Sequence, residues 1–103
     1  MKRQHLRLTV DLYVNKLING VPHLAMTRDL SSEGMYLHRL LEPRQPVGAH
    51  LAVEFELPET GEVIWAEAEV MHDDPREGVG LRFKDLSPRV RRRIQTYVQQ
   101  RAA

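Results

Sequence analysis

Arg3 and Arg7 stand four residues apart near the start of the chain, and Asp29-Leu30-Ser31-Ser32-Glu33-Gly34 follows about two dozen residues later. A guanidinium is a planar fork of N–H donors that matches phosphate oxygens or the O6/N7 edge of guanine, which an ammonium cannot imitate. The second segment offers a carboxylate at Asp29, a hydroxyl at Ser31 and a bare backbone at Gly34. Asp29 can accept from the N1–H and N2–H of guanine, Ser31 can donate to a phosphate or a base, and Gly34 permits a tight turn and close approach of a ligand. Lys2, beside Arg3, and Arg28, beside Asp29, are secondary candidates for the same patch. Taken separately, two arginines also describe a solvated basic arm, and Asp, Ser and Gly are ordinary turn residues.

Other chemistry finds little support. His5, His23, His38, His50 and His72 never fall at metal-ligand spacing, and there is no cysteine to join them. No GxSxG, P-loop or kinase motif set occurs. Gly78-Val79-Gly80 lies inside a strand-like pattern with no helix start behind it, so it reads as strand curvature or close backbone approach. Trp65 is a separate case. Ile64, Ala66, Ala68 and Val70 take one face of their strand, which leaves Trp65 on the other with Glu67 and Glu69. An aromatic there is either covered by another element or open to stack on a planar ligand. The expectation is a binding module without catalysis, metal or cofactor.

These residues need a scaffold, and period-two alternation supplies one. Leu6, Leu8, Val10, Leu12 and Val14 alternate along a first strand, and Asn19-Gly20 signals a hairpin. A return strand over about 21–28 puts Leu24 and Met26 on one face; residues 29–34 turn, and a short strand follows at 35–38. Beyond Pro43, Pro46 and Gly48, the alternations of Leu51–Leu57, of Ile64–Val70 and of Val79–Phe83 predict three more strands. Even spacing and short turns point to a closed or nearly closed antiparallel barrel. Ser87-Pro88 then starts a helix whose apolar face is Val90, Ile94, Tyr97 and Val98, lying over an open face or mouth of the barrel.

Charge says more by position than by sum. Residues 42–77 hold ten acids against Arg44 and Arg76, whereas 1–10 carry Lys2, Arg3 and Arg7 with no acid. Residues 78–103 carry seven bases against Asp85 alone, and the net charge is +1. That balance argues against a general nucleic-acid binder, while a small anion needs only a local patch. A length of 103 residues with 42% hydrophobic and 28% charged residues fits one globular domain. No apolar run approaches the roughly 18 residues that span a bilayer, no signal-peptide pattern opens the chain, and zero cysteines fit a reducing compartment. A cytoplasmic location is expected.

Arg3-Gln4-His5-Leu6-Arg7 matches RxxxR, and Asp29 to Gly34 matches (D/N)xSxxG. In this order and across a hairpin, they resemble the paired signature of the PilZ domain family. Gly61-Glu62-Val63-Ile64-Trp65 and the segment from Gly78 to Pro88 resemble that family's later strands and helix entry, so the likeness covers nearly the whole chain. The resemblance implies an all-β fold, a six-stranded antiparallel β-barrel with a C-terminal α-helix, and a bacterial receptor for the second messenger cyclic di-GMP. By that resemblance Arg3 and Arg7 grip phosphates and guanine edges, Asp29, Ser31 and Gly34 form the opposing wall, and Trp65 lies on a strand that family members turn to the ligand. In the family the residue before RxxxR, here Lys2, influences whether one or two ligand molecules bind.

The expected organisation is one domain over 1–103: a flexible basic arm at 1–7, a barrel at 8–86 and a helix at 88–101. The arm would order over the ligand, and the signal would pass to a downstream protein partner, since no separate output domain is evident. One alternative is a PilZ-like protein-interaction adaptor that does not bind the nucleotide. Another is nucleic-acid binding through Arg89 and Arg91 to Arg93 of the helix, where a solvated helix face is the plainer account.

Overall fold

A computed structural model describes residues 6–38 and 44–102. The elements are β1 (Leu8–Thr9), β2 (Tyr13–Ile18), β3 (Val21–Leu30), β4 (Gly34–His38), β5 (His50–Leu57), β6 (Glu62–Asp74), β7 (Gly78–Lys84) and α1 (Pro88–Ala102). Antiparallel pairing runs β3–β2–β5–β6–β7–β4, and β4 returns to β3, so six strands close a barrel; β1 adds a short pairing at the far end of β3. The single strand expected from residue 6 onward is two, β1 and β2, parted at residues 10–12. There the Oγ1 of the buried Thr27 accepts from the Leu12 N–H at 2.8 Å and donates to the Val10 carbonyl, which pins the corner to β3.

Alternation builds most of the core. Val53, Phe55, Leu57, Ile64, Ala66, Ala68, Val70, Val79, Leu81 and Phe83 point inward from β5, β6 and β7 and join one buried cluster. The Asn19-Gly20 turn has both residues at positive φ, 52° and 78°, as a two-residue hairpin between twisted strands requires. In the hairpin it joins, the pattern is inverted in part. Lys16 takes an inward slot of β2 and is 2% exposed, while Tyr13, Leu24 and Met26 lie on the outer face.

The helix starts as the sequence expects. Ser87 Oγ accepts from the Val90 N–H at 3.2 Å, and Pro88 takes the first helical position. Its first turn has no acid, so cations there oppose the dipole at about 0.3–1 kcal/mol each. Burial of Ile94, Tyr97 and Val98 outweighs this, at about 1.5–3 kcal/mol for a fully buried side chain of that kind. Arg91 reaches Glu33 and the Ser32 carbonyl, Arg89 and Arg93 reach Glu62, and Arg101 reaches Glu59. The helix is thereby laid over the barrel end that carries the β3–β4 bend and the β5–β6 turn. No helix among the described residues is long and apolar enough to cross a membrane.

Candidate functional site

Two β-bulges decide what faces outward at this end of the barrel. Opposite β4, the register of β3 runs Thr27↔Leu37 and then Asp29↔Tyr36, which leaves Arg28 as an extra residue. Strict alternation from the buried Thr27 would turn Asp29 inward; the extra residue turns it out and returns Leu30 to the core. On β6 the register passes from Val70↔Leu81 to His72↔Gly80, so Met71 is extra there. The outer surface then carries one lateral row, Asp29–Tyr36–Gly80–His72, and a second, Gly34–Arg82–Glu69.

The two glycines make a depression in that grid. Arg7, Glu33, Gly34, Tyr36, Met71, His72, Gly80 and Arg82 line a cleft of about 250 Å³. Gly34 is also demanded by the fold, because a Cβ there would sit 2.0 Å from the Leu81 carbonyl oxygen. A Cβ on Gly80 would meet the Tyr36 and His72 rings at 3.3–3.4 Å, so its absence keeps the floor open between them.

Arg7 is brought to this cleft by register. Thr9 pairs with Asp29, and Arg7, two residues earlier, shares the Thr9 face of the strand. Its Nη1 donates to Asp29 Oδ1 at 2.8 Å, with both side chains partly exposed. One such bond leaves most of the five guanidinium donors uncommitted. The structure therefore brings Arg7, Asp29 and Gly34 to one patch. Arg3 and Lys2 fall outside the described residues, as does most of the expected arm.

Ser31 is placed differently from the expectation of an open donor. It is 2% exposed, and its Oγ accepts from the Glu33 and Gly34 amides at 3.1 and 3.3 Å. The hydroxyl is spent on shaping the bend. Arg28 lies over the Tyr36 ring at 4.6 Å and donates to Glu77 at 3.3 Å, so it braces the cleft wall without lining the cleft. Trp65 is not brought to this cleft. It lies four residues along β6 from Glu69, roughly 13 Å at a strand's rise, and lines a separate hollow with Lys84, Leu86 and Val90. At 57% exposure it is not covered by the helix either.

Sequence reasoning missed Tyr36, Met71, His72, Gly80 and Arg82. Arg82 is the most telling of them, a second guanidinium beside Gly34 in the register. It donates to Glu69 Oε1 at 3.3 Å, and Lys84 Nζ lies 3.3 Å from the same oxygen. The hydrogen bond from Lys84, then its charge and those of Arg82, hold the Glu69 carboxyl below its ordinary value of 4.5, against some desolvation. Two guanidinium groups flanking a depression floored by glycine form a place for an anionic, planar group. Among the described residues no cluster of three or more His, Asp or Glu side chains is arranged to hold a metal ion.

Comparison with known proteins bears on the family and the fold. The family model described as PilZ domain matches residues 1–100. A search of curated proteins found no match. Among solved structures, the Bacillus subtilis inhibitor of motility MotI/DgrA aligns with a TM-score of 0.85 at 20% identity, over 99% of this chain and 51% of that one. The PilZ domain of YcgR from Escherichia coli, with c-di-GMP, aligns at 0.75 and 19% identity over 99% of this chain and 92% of that one. YcgR in complex with c-di-GMP, also from Escherichia coli, aligns at 0.75 and 21% identity over 96% of this chain and 45% of that one. This chain thus spans about half the length of MotI/DgrA and of YcgR. With the family model covering nearly every residue and both halves of the signature in the chain, this protein belongs to the PilZ domain family.

Proposed function

We propose that this chain is a non-catalytic cytoplasmic receptor for cyclic di-GMP, acting through a protein partner. The observation that carries the reading is the 2.8 Å contact between Arg7 and Asp29, which joins the two halves of the signature at the rim of the cleft. The solved YcgR structures with c-di-GMP support it as relatives of the same fold. In the free protein Arg7 is tied to Asp29. A ligand that brings phosphates to Arg7 and a guanine N1–H edge to Asp29 satisfies both groups separately and replaces their contact. Arg3 adds the second guanidinium of the arm as it closes over the ligand, with Lys2 beside it. Ser31 acts by holding the bend, and Arg82 faces the ligand from β7.

Calorimetry with cyclic di-GMP tests the reading, with cyclic di-AMP and GTP as controls. Arg7→Ala removes charge-assisted hydrogen bonds worth about 1.5–3 kcal/mol, so the expected loss of affinity is roughly ten- to 150-fold. Arg92→Ala, an exposed change on the helix away from the cleft, is expected to leave binding unchanged. Equal affinity in both variants would overturn the site.

A further inference from the structure

The outer face of the β2–β3 hairpin is apolar where a barrel surface is ordinarily polar. Tyr13 pairs with Met26, Asn15 with Leu24 and Leu17 with Pro22, and these side chains stand on the side opposite the core. Tyr13 is 66% exposed and Leu24 58%. The face continues without a break onto β5 and β6, where Asn15 pairs with Glu54, Glu54 with Trp65 and Glu56 with Val63. Val63 and Trp65 are likewise more than half exposed. Tyr13, Leu24, Glu54, Glu56 and Val63 line a shallow groove of about 210 Å³. Scattered exposed apolar residues are normal, but two apolar sets, Tyr13 and Leu24 on β2–β3 and Val63 and Trp65 on β6, flanking Glu54 and Glu56 of β5, have the make-up of an interface.

Local hydrophobicity does not account for this face. The same β2 strand keeps Lys16 buried while Tyr13 stays in water, and a slip of one residue would exchange the two faces. Leaving a side chain of this size in water forgoes about 1.5–3 kcal/mol of burial. The charges nearby are equally uneconomical for the free chain. Glu54, Glu56 and Glu67 are exposed on this face, and none forms an ion pair among the described residues, whereas Glu33, Glu59, Glu62, Glu69 and Glu77 all do. Two copies meeting through this face would crowd their carboxylates together, and a phosphate backbone would be repelled by them. A cationic partner relieves the repulsion.

We infer that this face docks a protein segment that presents lysine or arginine beside apolar side chains. None of the residues lining its groove lines the Arg7 cleft, so both can be occupied at once, and the inference stands without the nucleotide reading. Trp65 is the chain's one tryptophan and stands beside Glu54 on this face, so its fluorescence reports on docking here. The test titrates the full chain, without nucleotide, with a short amphipathic peptide of leucine and lysine, and with the same peptide carrying glutamate for lysine. The lysine peptide is expected to shift Trp65 emission saturably, and the glutamate peptide to have no effect. The triple change Glu54→Gln, Glu56→Gln, Glu67→Gln is expected to weaken binding at least roughly tenfold, as is Leu24→Ser with Tyr13→Ser. Glu77→Gln, an acid elsewhere on the barrel, is expected to change nothing, and circular dichroism checks that every variant keeps its fold. Equal binding of the two peptides, no binding of either, or loss of binding with Glu77→Gln would overturn the inference. So would equilibrium sedimentation showing a dimer that Leu24→Lys abolishes, because a second copy would then be what covers the face.

Discussion

At the scale of single residues, the cleft depends on what is missing as much as on what is present. Gly34 has no room for a side chain, since its neighbour across β4 and β7 is a backbone carbonyl at 2.0 Å from any added Cβ. Gly34→Ala must open the β4–β7 pairing, an overpacking cost of about 1–3 kcal/mol. Thermal unfolding is expected to fall by roughly 4–8 °C per kcal/mol. Glu69 gives a second residue-level prediction. Its carboxyl is held low by Lys84, then by Arg82, so a carbon-detected titration is expected to place its midpoint below 4.5, and Lys84→Ala to raise it. The sign follows from a depressed folded value: the stabilisation is complete above the unfolded value and is lost as pH falls through the folded one. The glycine of the second motif was visible in the sequence, but its need arises from β7, which no local spacing reveals. Ser31 was visible too; its turn inward to the Glu33 and Gly34 amides was not, because a hydroxyl serves a bend and a ligand equally well.

At the scale of elements, alternation made the strands legible and bulges limited what it could say. Residues 51–57 and 62–70 alternate cleanly, and β5 and β6 follow them. The extra residues Arg28 and Met71 have no marker in the sequence, yet they set Asp29 facing out and bring His72 level with Gly80. Hence Tyr36, Gly80 and Arg82 went unnoticed as neighbours of Asp29 and Gly34. The same limit explains Trp65, whose face was inferred correctly but whose distance from the cleft depends on pairing across β6 and β7. The helix start was legible from Ser87-Pro88, and it carries a prediction. Ser87→Ala removes the cap to the Val90 amide and is expected to cost about 1 kcal/mol, a fall of roughly 4–8 °C, with ligand affinity unchanged. An equal fall in affinity would mean that the helix holds the Glu33 bend in its binding shape through Arg91.

At the scale of the whole molecule, the Arg7 cleft is a shallow surface and not a deep pocket. A cleft of about 250 Å³ is smaller than the roughly 300–1,000 Å³ of enclosed small-molecule sites, so a ligand as large as a cyclic dinucleotide must lie across the rim and be held by groups that reach over it. On the proposed reading, the burden falls on the guanidinium groups of Arg7 and Arg82 at the edge, together with Arg3. The barrel then presents two distinct faces, a rim bearing Arg7 and Arg82 and a partly apolar, acidic sheet on β2, β3, β5 and β6. The charge segregation read from the sequence foreshadowed the second face only in its acids, since Leu24 looked like a core residue of an amphipathic strand and Tyr13 fell on the polar side of the first strand. The most direct test is an amide-shift titration of the full isotope-labelled chain with cyclic di-GMP. Saturable shifts confined to Arg7, Asp29 to Gly34, Tyr36, Gly80 and Arg82, absent with cyclic di-AMP, are the expected result. Shifts centred elsewhere, or none at saturating ligand, would contradict it.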